Sequence, residues 1–365
     1  TRRPSIMSKA AELAALIGSG QAQGDKNLII NGAMQVAQRG TSSTASGGHS
    51  VDRYRVDFLN FDQLGVTQSQ STTVPSGKGF SNSLKVAVTT QETTLDANEL
   101  FIIRQTIEAQ NLQRLAYGTS SAKSLTLSFW VRSSLAGKYS VMFYSEDGNR
   151  SNTPSFTISS ADTWEFVTIT IDGDTAGTIN NDNGKGLQVT WVLAAGTDWA
   201  GTPHTGWGAF VETDDYAFSD QVNFAAQTGE FYITGVSLEV GDVATPFEHE
   251  SFAETLQKCQ RYYVQYNAGG TAYKDFVNVS AFSTTNARGT MNMFVPMRAA
   301  CTLSSSGAFQ VLGLGTISSL SIVTAVSDIA QVTIDSTGTG YTVGNSGSLR
   351  SNNNSSSYIA FDAEL

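Results

Sequence analysis

Charge is scarce in this chain. Only 15% of its 365 residues are Asp, Glu, Lys or Arg, against about a quarter in ordinary globular proteins, so uncharged polar side chains must cover much of the surface. The formal charge is −10 and no Lys/Arg cluster occurs. Binding nucleic acid needs a basic face, and such a partner is not expected. Cysteine is nearly missing. Cys259 and Cys301 are too few for a disulfide framework and stand neither in a CxxC pair nor at zinc spacing from a histidine, so buried free thiols are expected. No run of about 18 apolar residues occurs, which leaves no helix to insert in a membrane. The opening TRRPSIMSKAAELAALIGSG has paired arginines, but Lys9 and Glu12 interrupt its apolar stretch, and it does not read as a signal peptide. Assembly in a cytoplasm is the expectation. The three histidines, His49, His204 and His249, form no HxH or HExxH arrangement, and no GxSxG elbow occurs. No cofactor is implied, and Gly313 to Gly315 read as an ordinary turn rather than a phosphate loop.

What is present is alternation. After a short helical segment in which Ser8 caps and Ala10, Leu13, Ala14 and Ile17 recur at helical spacing, residues 18–26 read as a flexible hinge. From Asn27 the period becomes two, as in Tyr54, Val56, Phe58; Leu125, Leu127, Phe129, Val131; and Leu187, Val189, Trp191, Leu193. Such segments are strands with one buried face. Asp147-Gly148-Asn149, Asp172-Gly173-Asp174 and Asp182-Asn183-Gly184 supply tight turns. A short helix is expected near Ala109 to Leu115 and a closing strand at Gly229 to Val240. Ser251-Phe252-Ala253-Glu254 forms a capping box, which predicts a helix with Phe252, Leu256 and Cys259 on one face. Beyond it come shorter strands, with SSSGAF, STGTG and SNNNSSS as loops. The fold class is therefore all-β: an N-terminal helix and hinge (1–26), a jelly-roll β-sandwich (27–246), a linker helix (247–262) and a second small antiparallel β domain (263–365).

NLIINGAMQVAQRG (27–40), VDRY (51–54), SLTLSFWVRSSLAGKYSVMFYS, TWEFVTITI, the junction TPFEHE…LQKCQRYY and the terminal SYIAFDAEL together resemble phage tail-fibre and related virion proteins. The resemblance covers nearly everything after Asn27, and the junction is its most specific part. It implies a jelly-roll domain similar to carbohydrate-binding modules, a homotrimeric fibre or spike in the virion, and distal domains that meet a host-surface glycan. The N-terminal stripe then becomes an anchoring and oligomerisation segment that contacts other virion proteins. A head fibre, capsid decoration or tail adaptor of structural role is the alternative, and a polysaccharide-degrading enzyme a remoter one. Modules of this type often hold a structural calcium through acids near the opening and closing strands. Here Gln35, Thr234 and Gly235 take those places, so no metal site is inherited.

Glycan binding requires aromatic faces beside hydrogen-bonding side chains. Trp199, Trp207, Tyr216 and Phe218 lie in a non-periodic stretch and are the candidates; the competing expectation is that they pin a long loop onto the sandwich. Trp130, Trp164 and Trp191 fall in or beside strands and read as structural. Asp198, Glu212, Asp214, Asp215 and Asp220 have no regular calcium-ligand spacing and read as a solvated acidic loop. Glu146-Asp147 and Asp214-Asp215 could pair for glycoside cleavage, but neighbouring strand residues face opposite ways. No catalytic residue is assigned.

Overall fold

The structure, a computed structural model, describes residues 26–322 and 331–365. The expected helical stripe Ala10, Leu13, Ala14 and Ile17 lies outside these residues.

The described chain is mostly β. Six strands form one sheet in the order Ser42–Ser43, Gly65–Ser71, Ser83–Thr90, Gly229–Val240, Leu125–Ser133 and Glu165–Ile171. The main path of an eight-stranded sheet runs Gly208–Ala209, Arg150–Asn152, Gly137–Ser145, Lys185–Ala195, Leu100–Glu108, Tyr54–Leu59 and Gly48–Val51. Its eighth strand, Ser155–Ile158, pairs beside Gly137–Ser145. Alternation decides which side chains meet between the sheets. Leu125, Leu127, Phe129 and Val131 point in from one, and Tyr139, Val141, Phe143, Val189 and Trp191 from the other. Trp191 is fully enclosed, 5.7 Å from Phe129 and 6.5 Å from Tyr54 between ring centroids. Each such burial contributes about 2–3 kcal/mol, against at most about 1 kcal/mol for an exposed ion pair, so packing dominates this core.

Two glycines set where the chain closes. Gly235 adopts φ +61° at a bulge in Gly229–Val240, with the Phe80 ring where a Cβ would stand. Gly32 approaches Val236 so closely that a Cβ would lie 2.1 Å from its carbonyl oxygen. Asn27 ties the same strand: its Nδ2 donates to Val236 O at 3.0 Å and its Oδ1 accepts from Leu238 N at 2.9 Å.

The helix Phe252–Gln260 starts at the Ser251/Glu254 capping box. Its buried residues are Thr255 and Cys259, whereas Phe252 is 56% exposed. The inward stripe is thus rotated by one residue from the expected Phe252, Leu256, Cys259 face, since Thr255 rather than Phe252 packs inward. Burial pushes the Cys259 thiol well up, and Cys301, expected to be buried, is half-buried.

Beyond the helix, Tyr263–Asn267, Tyr358–Asp362 and Thr302–Ser306 form a three-stranded sheet. Asp275–Ala281, Asn286–Asn292, Gln331–Gly338, Gly315–Ile322, Phe309–Val311 and Ser346–Ser351 close into a barrel. The three expected loops overlap strands, SNNNSSS only through Ser351 at the end of Ser346–Ser351. SSSGAF supplies the end of Thr302–Ser306 and the start of Phe309–Val311, and STGTG starts inside Gln331–Gly338. Main-chain pairing to Tyr358–Asp362 holds Thr302–Ser306 although its side chains are mostly exposed, so no hydrophobic alternation marks it.

The two β bodies meet through charged groups. Arg53, with φ +74°, pairs with Glu364, donates to Thr106 O at 2.6 Å and lies 3.3 Å over the Tyr262 ring. Arg39 lies 3.5 Å over Tyr263 and 3.0 Å from Asp362. Arg261 grips the fully buried Glu108 with two hydrogen bonds of 2.7 and 2.8 Å.

Candidate functional site

The segment between Lys185–Ala195 and Gly229–Val240 folds over the outer face of the eight-stranded sheet. Leu100, Ile102 and Val192, which point outward from their strands, are covered there by Ala217 with Trp199 and Tyr216. This is burial of a local apolar patch by a loop. Trp199 and Tyr216 meet edge to face at 5.3 Å, Tyr216 and Phe210 at 5.9 Å, and Phe210 and Tyr144 at 4.6 Å. Four partly exposed rings therefore run in series across the face.

A polar group accompanies them. Cross-strand register places Gln188 beside Tyr144 and Thr106, and Thr190 beside Met142 and Arg104, with Arg104 next to Arg55. Asp57 holds both arginines, at 2.9 Å from Arg55 and 3.2 Å from Arg104. Gln188 Nε2 donates to Glu146 at 2.6 Å. Burial raises the Tyr216 phenol above its ordinary range, Arg104 opposes this, and Glu212, Tyr144 and Glu146 add to it. These groups share one electrostatic neighbourhood. Neutral phenols, a guanidinium and a carboxamide beside ring faces can stack on sugar CH groups and bond to hydroxyls.

The loop owes its shape to Asp215. This carboxylate is fully buried, a correction to the solvated acidic loop expected from sequence. It accepts from Val211 N at 2.6 Å, Ser151 Oγ at 2.8 Å and His204 N at 3.2 Å, and lies 2.8 Å from His204 Nδ1. Burial alone would raise its pKa, but these donors outweigh burial and hold it below the ordinary value of 3.8. Asp198, Glu212 and Asp220 do remain exposed, and Asp220 pairs with Lys138 at 2.6 Å. Among the described residues, no three His, Cys, Asp or Glu side chains are grouped to hold a metal ion. Asp147 is occupied by Asn180, whose N and Nδ2 donate to it at 2.9 and 2.7 Å.

Of the four sequence candidates, Trp199 and Tyr216 join the series and two do not. Trp207 packs on the main core, edge-on to Tyr117 at 5.5 Å, with its Nε1 donating to Asp172 O at 2.7 Å. That ring pins the loop. Phe218 lies under Lys138, 3.7 Å from the ring centroid, with its N donating to Ser140 Oγ, toward the opposite end of Gly137–Ser145 from Tyr144. The structure adds Tyr144, Phe210, Arg104 and Gln188. Tyr144 and Gln188 were detectable as outward positions in alternating strands; Arg104, which follows the unbroken apolar run 100–103, and Phe210 carry no such signal. Trp191 is a core residue, as expected, whereas Trp130 and Trp164 are partly exposed on the outer face of the other sheet.

No family model matches the sequence and no curated protein matches it. Among solved structures, the enzymatically active domain of bacteriophage CBA120 tailspike protein 4 is 13% identical with a TM-score of 0.33, over 59% of this chain and 21% of that one. The chain therefore matches only about a fifth of that protein's length. A carbohydrate-binding module solved in complex with β-1,4-galactotriose gives 12% identity and a TM-score of 0.30, over 59% of this chain and 99% of that one. The family 11 carbohydrate-binding module of a Clostridium thermocellum cellulosomal cellulase gives 13% identity and a TM-score of 0.28, over 57% of this chain and 98% of that one. At such scores the likeness carries no functional weight.

Proposed function

We propose that this chain is a non-enzymatic structural component of a phage virion, a fibre or spike, whose sandwich presents the outer face of its eight-stranded sheet to a host-surface glycan. The observation that carries the binding part is the ring series Tyr144, Phe210, Tyr216 and Trp199 beside Gln188, Arg104 and Asp57. The virion part rests on the sequence resemblance to tail-fibre proteins. In this reading the jelly roll of residues 27–246 and the unit of residues 263–365 are the displayed bodies, joined by the linker helix. The segment bearing Ala10, Leu13, Ala14 and Ile17 anchors three copies to other virion proteins. No cofactor and no bond-breaking step enters.

The test is a glycan array and titration calorimetry on the full chain and on Tyr144→Ala and Tyr216→Ala. Loss of one stacking ring removes about 0.5–1.5 kcal/mol, so each variant binds its sugar up to about tenfold more weakly. A wild-type chain that retains no glycan, or variants that bind as well as it does, overturns the binding reading.

A structural reading, as head fibre, decoration or adaptor, has its own support. Four of the stretches that carry the family resemblance, 27–40, 51–54, 256–263 and the C-terminal strand, converge on the junction through Arg39, Arg53, Tyr262, Tyr263 and Asp362. Imaging the chain in intact particles separates head from tail.

A further inference from the structure

The outer face of the six-stranded sheet carries a second aromatic surface, flanked by the loops that bear Lys78, Asp162 and Trp164. Register sets Trp130 between Phe166 and Thr234, and the Trp130 and Phe166 rings lie 5.2 Å apart with Phe166 50% exposed. Two residues along, about 7 Å on the same face, Arg132 stands opposite Tyr232, and Tyr232 opposite Lys85. Trp164 completes this second group, 6.0 Å from Tyr232.

Cations attend both groups. Lys78 Nζ lies 5.1 Å over Trp130, and Arg132 and Lys85 lie 5.3 and 5.9 Å over Tyr232. Arg132 is held by Asp162 at 3.1 Å and Lys85 pairs with Glu230. Lys78 is exposed and has no carboxylate partner among the described residues. On a chain of charge −10, these two ring groups thus carry three cations of which two are paired with carboxylates, while Glu239 lies farther along the same face, opposite Thr126.

We infer that this face binds an acidic polysaccharide, its sugar rings stacking on Phe166 and Trp130 while a uronate carboxylate meets Lys78. Stacking alone would accept a neutral sugar; the uncompensated ammonium over Trp130 selects an anion. The surface is separate from the glycan face proposed above and does not depend on it.

The test is affinity electrophoresis and titration of the full chain with polygalacturonate, set against the same polymer methyl-esterified to remove its charge. The acid form retards the wild-type chain, the ester does not, and added salt weakens the effect. Lys78→Glu, a change at an exposed side chain, and Phe166→Ala each weaken binding severalfold, up to about tenfold, with circular dichroism unchanged. Tyr144→Ala has no effect on it. Equal retardation by both polymers, absence of retardation, or loss through Tyr144→Ala instead of Lys78→Glu overturns the inference. So does a fall in mass by light scattering for Phe166→Ala with polymer binding intact, which would make the face a contact between copies.

Discussion

Asp215 shows how one buried charge can shape a functional surface. Its carboxylate gathers Val211, Ser151 and His204, and thereby fixes the loop that carries Phe210 and Tyr216. Because its pKa is lower in the folded protein, its stabilisation is fully present above the unfolded value and is lost as pH falls through the folded one. Denaturant titrations should therefore show stability declining below about pH 4, with a shallower decline in Asp215→Asn. An equal pH slope in both proteins would show that Asp215 is not a contributor. Asp215→Ala leaves several buried donors unpaired and costs about 3 kcal/mol at neutral pH. From sequence this residue was one acid among five. Nothing in its spacing distinguished it from Asp214, because the partners that bury it come from Ser151, far along the chain, and from backbone amides.

At the scale of the element, strands were legible wherever one face is apolar. Gly229–Val240 and the helical turn Ala109–Leu115 have the expected bounds, since bulge glycine, turn chemistry and burial all agree there. Thr302–Ser306 was not legible, because its partner strand and not its own side chains holds it. The helix Phe252–Gln260 shows both sides of this. Its start was readable in the capping box, which is local chemistry, but its buried face was set by a distant sheet. Arg261, just after the helix, clamps Glu108 at the end of a sheet strand. Arg261→Ala leaves that buried carboxylate without its cation, with Gln110 still donating to it, and should cost about 3 kcal/mol in chemical denaturation. Adding Glu108→Gln should recover part of the loss, and a double-mutant cycle with no coupling would show that the pair does not act as a unit.

Across the whole molecule, the junction arginines hold one β body against the other. Arg53 is nearly inaccessible and its partner Glu364 lies close to the C-terminal end of the sequence, so the last residues close a contact with residues from the first strands. Wild-type calorimetry should give one cooperative transition. Arg53→Ala should split it in two, each body melting alone, and an unsplit transition of unchanged midpoint would show that the bodies are coupled by other means. By itself the sequence determined the β character, the turns, the capping box and the absence of a catalytic motif, because these depend on period and local chemistry within a few residues. It also held the outward positions of Tyr144 and Gln188. The tertiary structure alone decided that Trp207 and Phe218 leave the ring series, that Asp215 is buried, and that 27–40, 51–54 and 256–263 meet at one junction. Each of those outcomes depends on which distant strands pair, and alternation along a single strand carries no information about its neighbours.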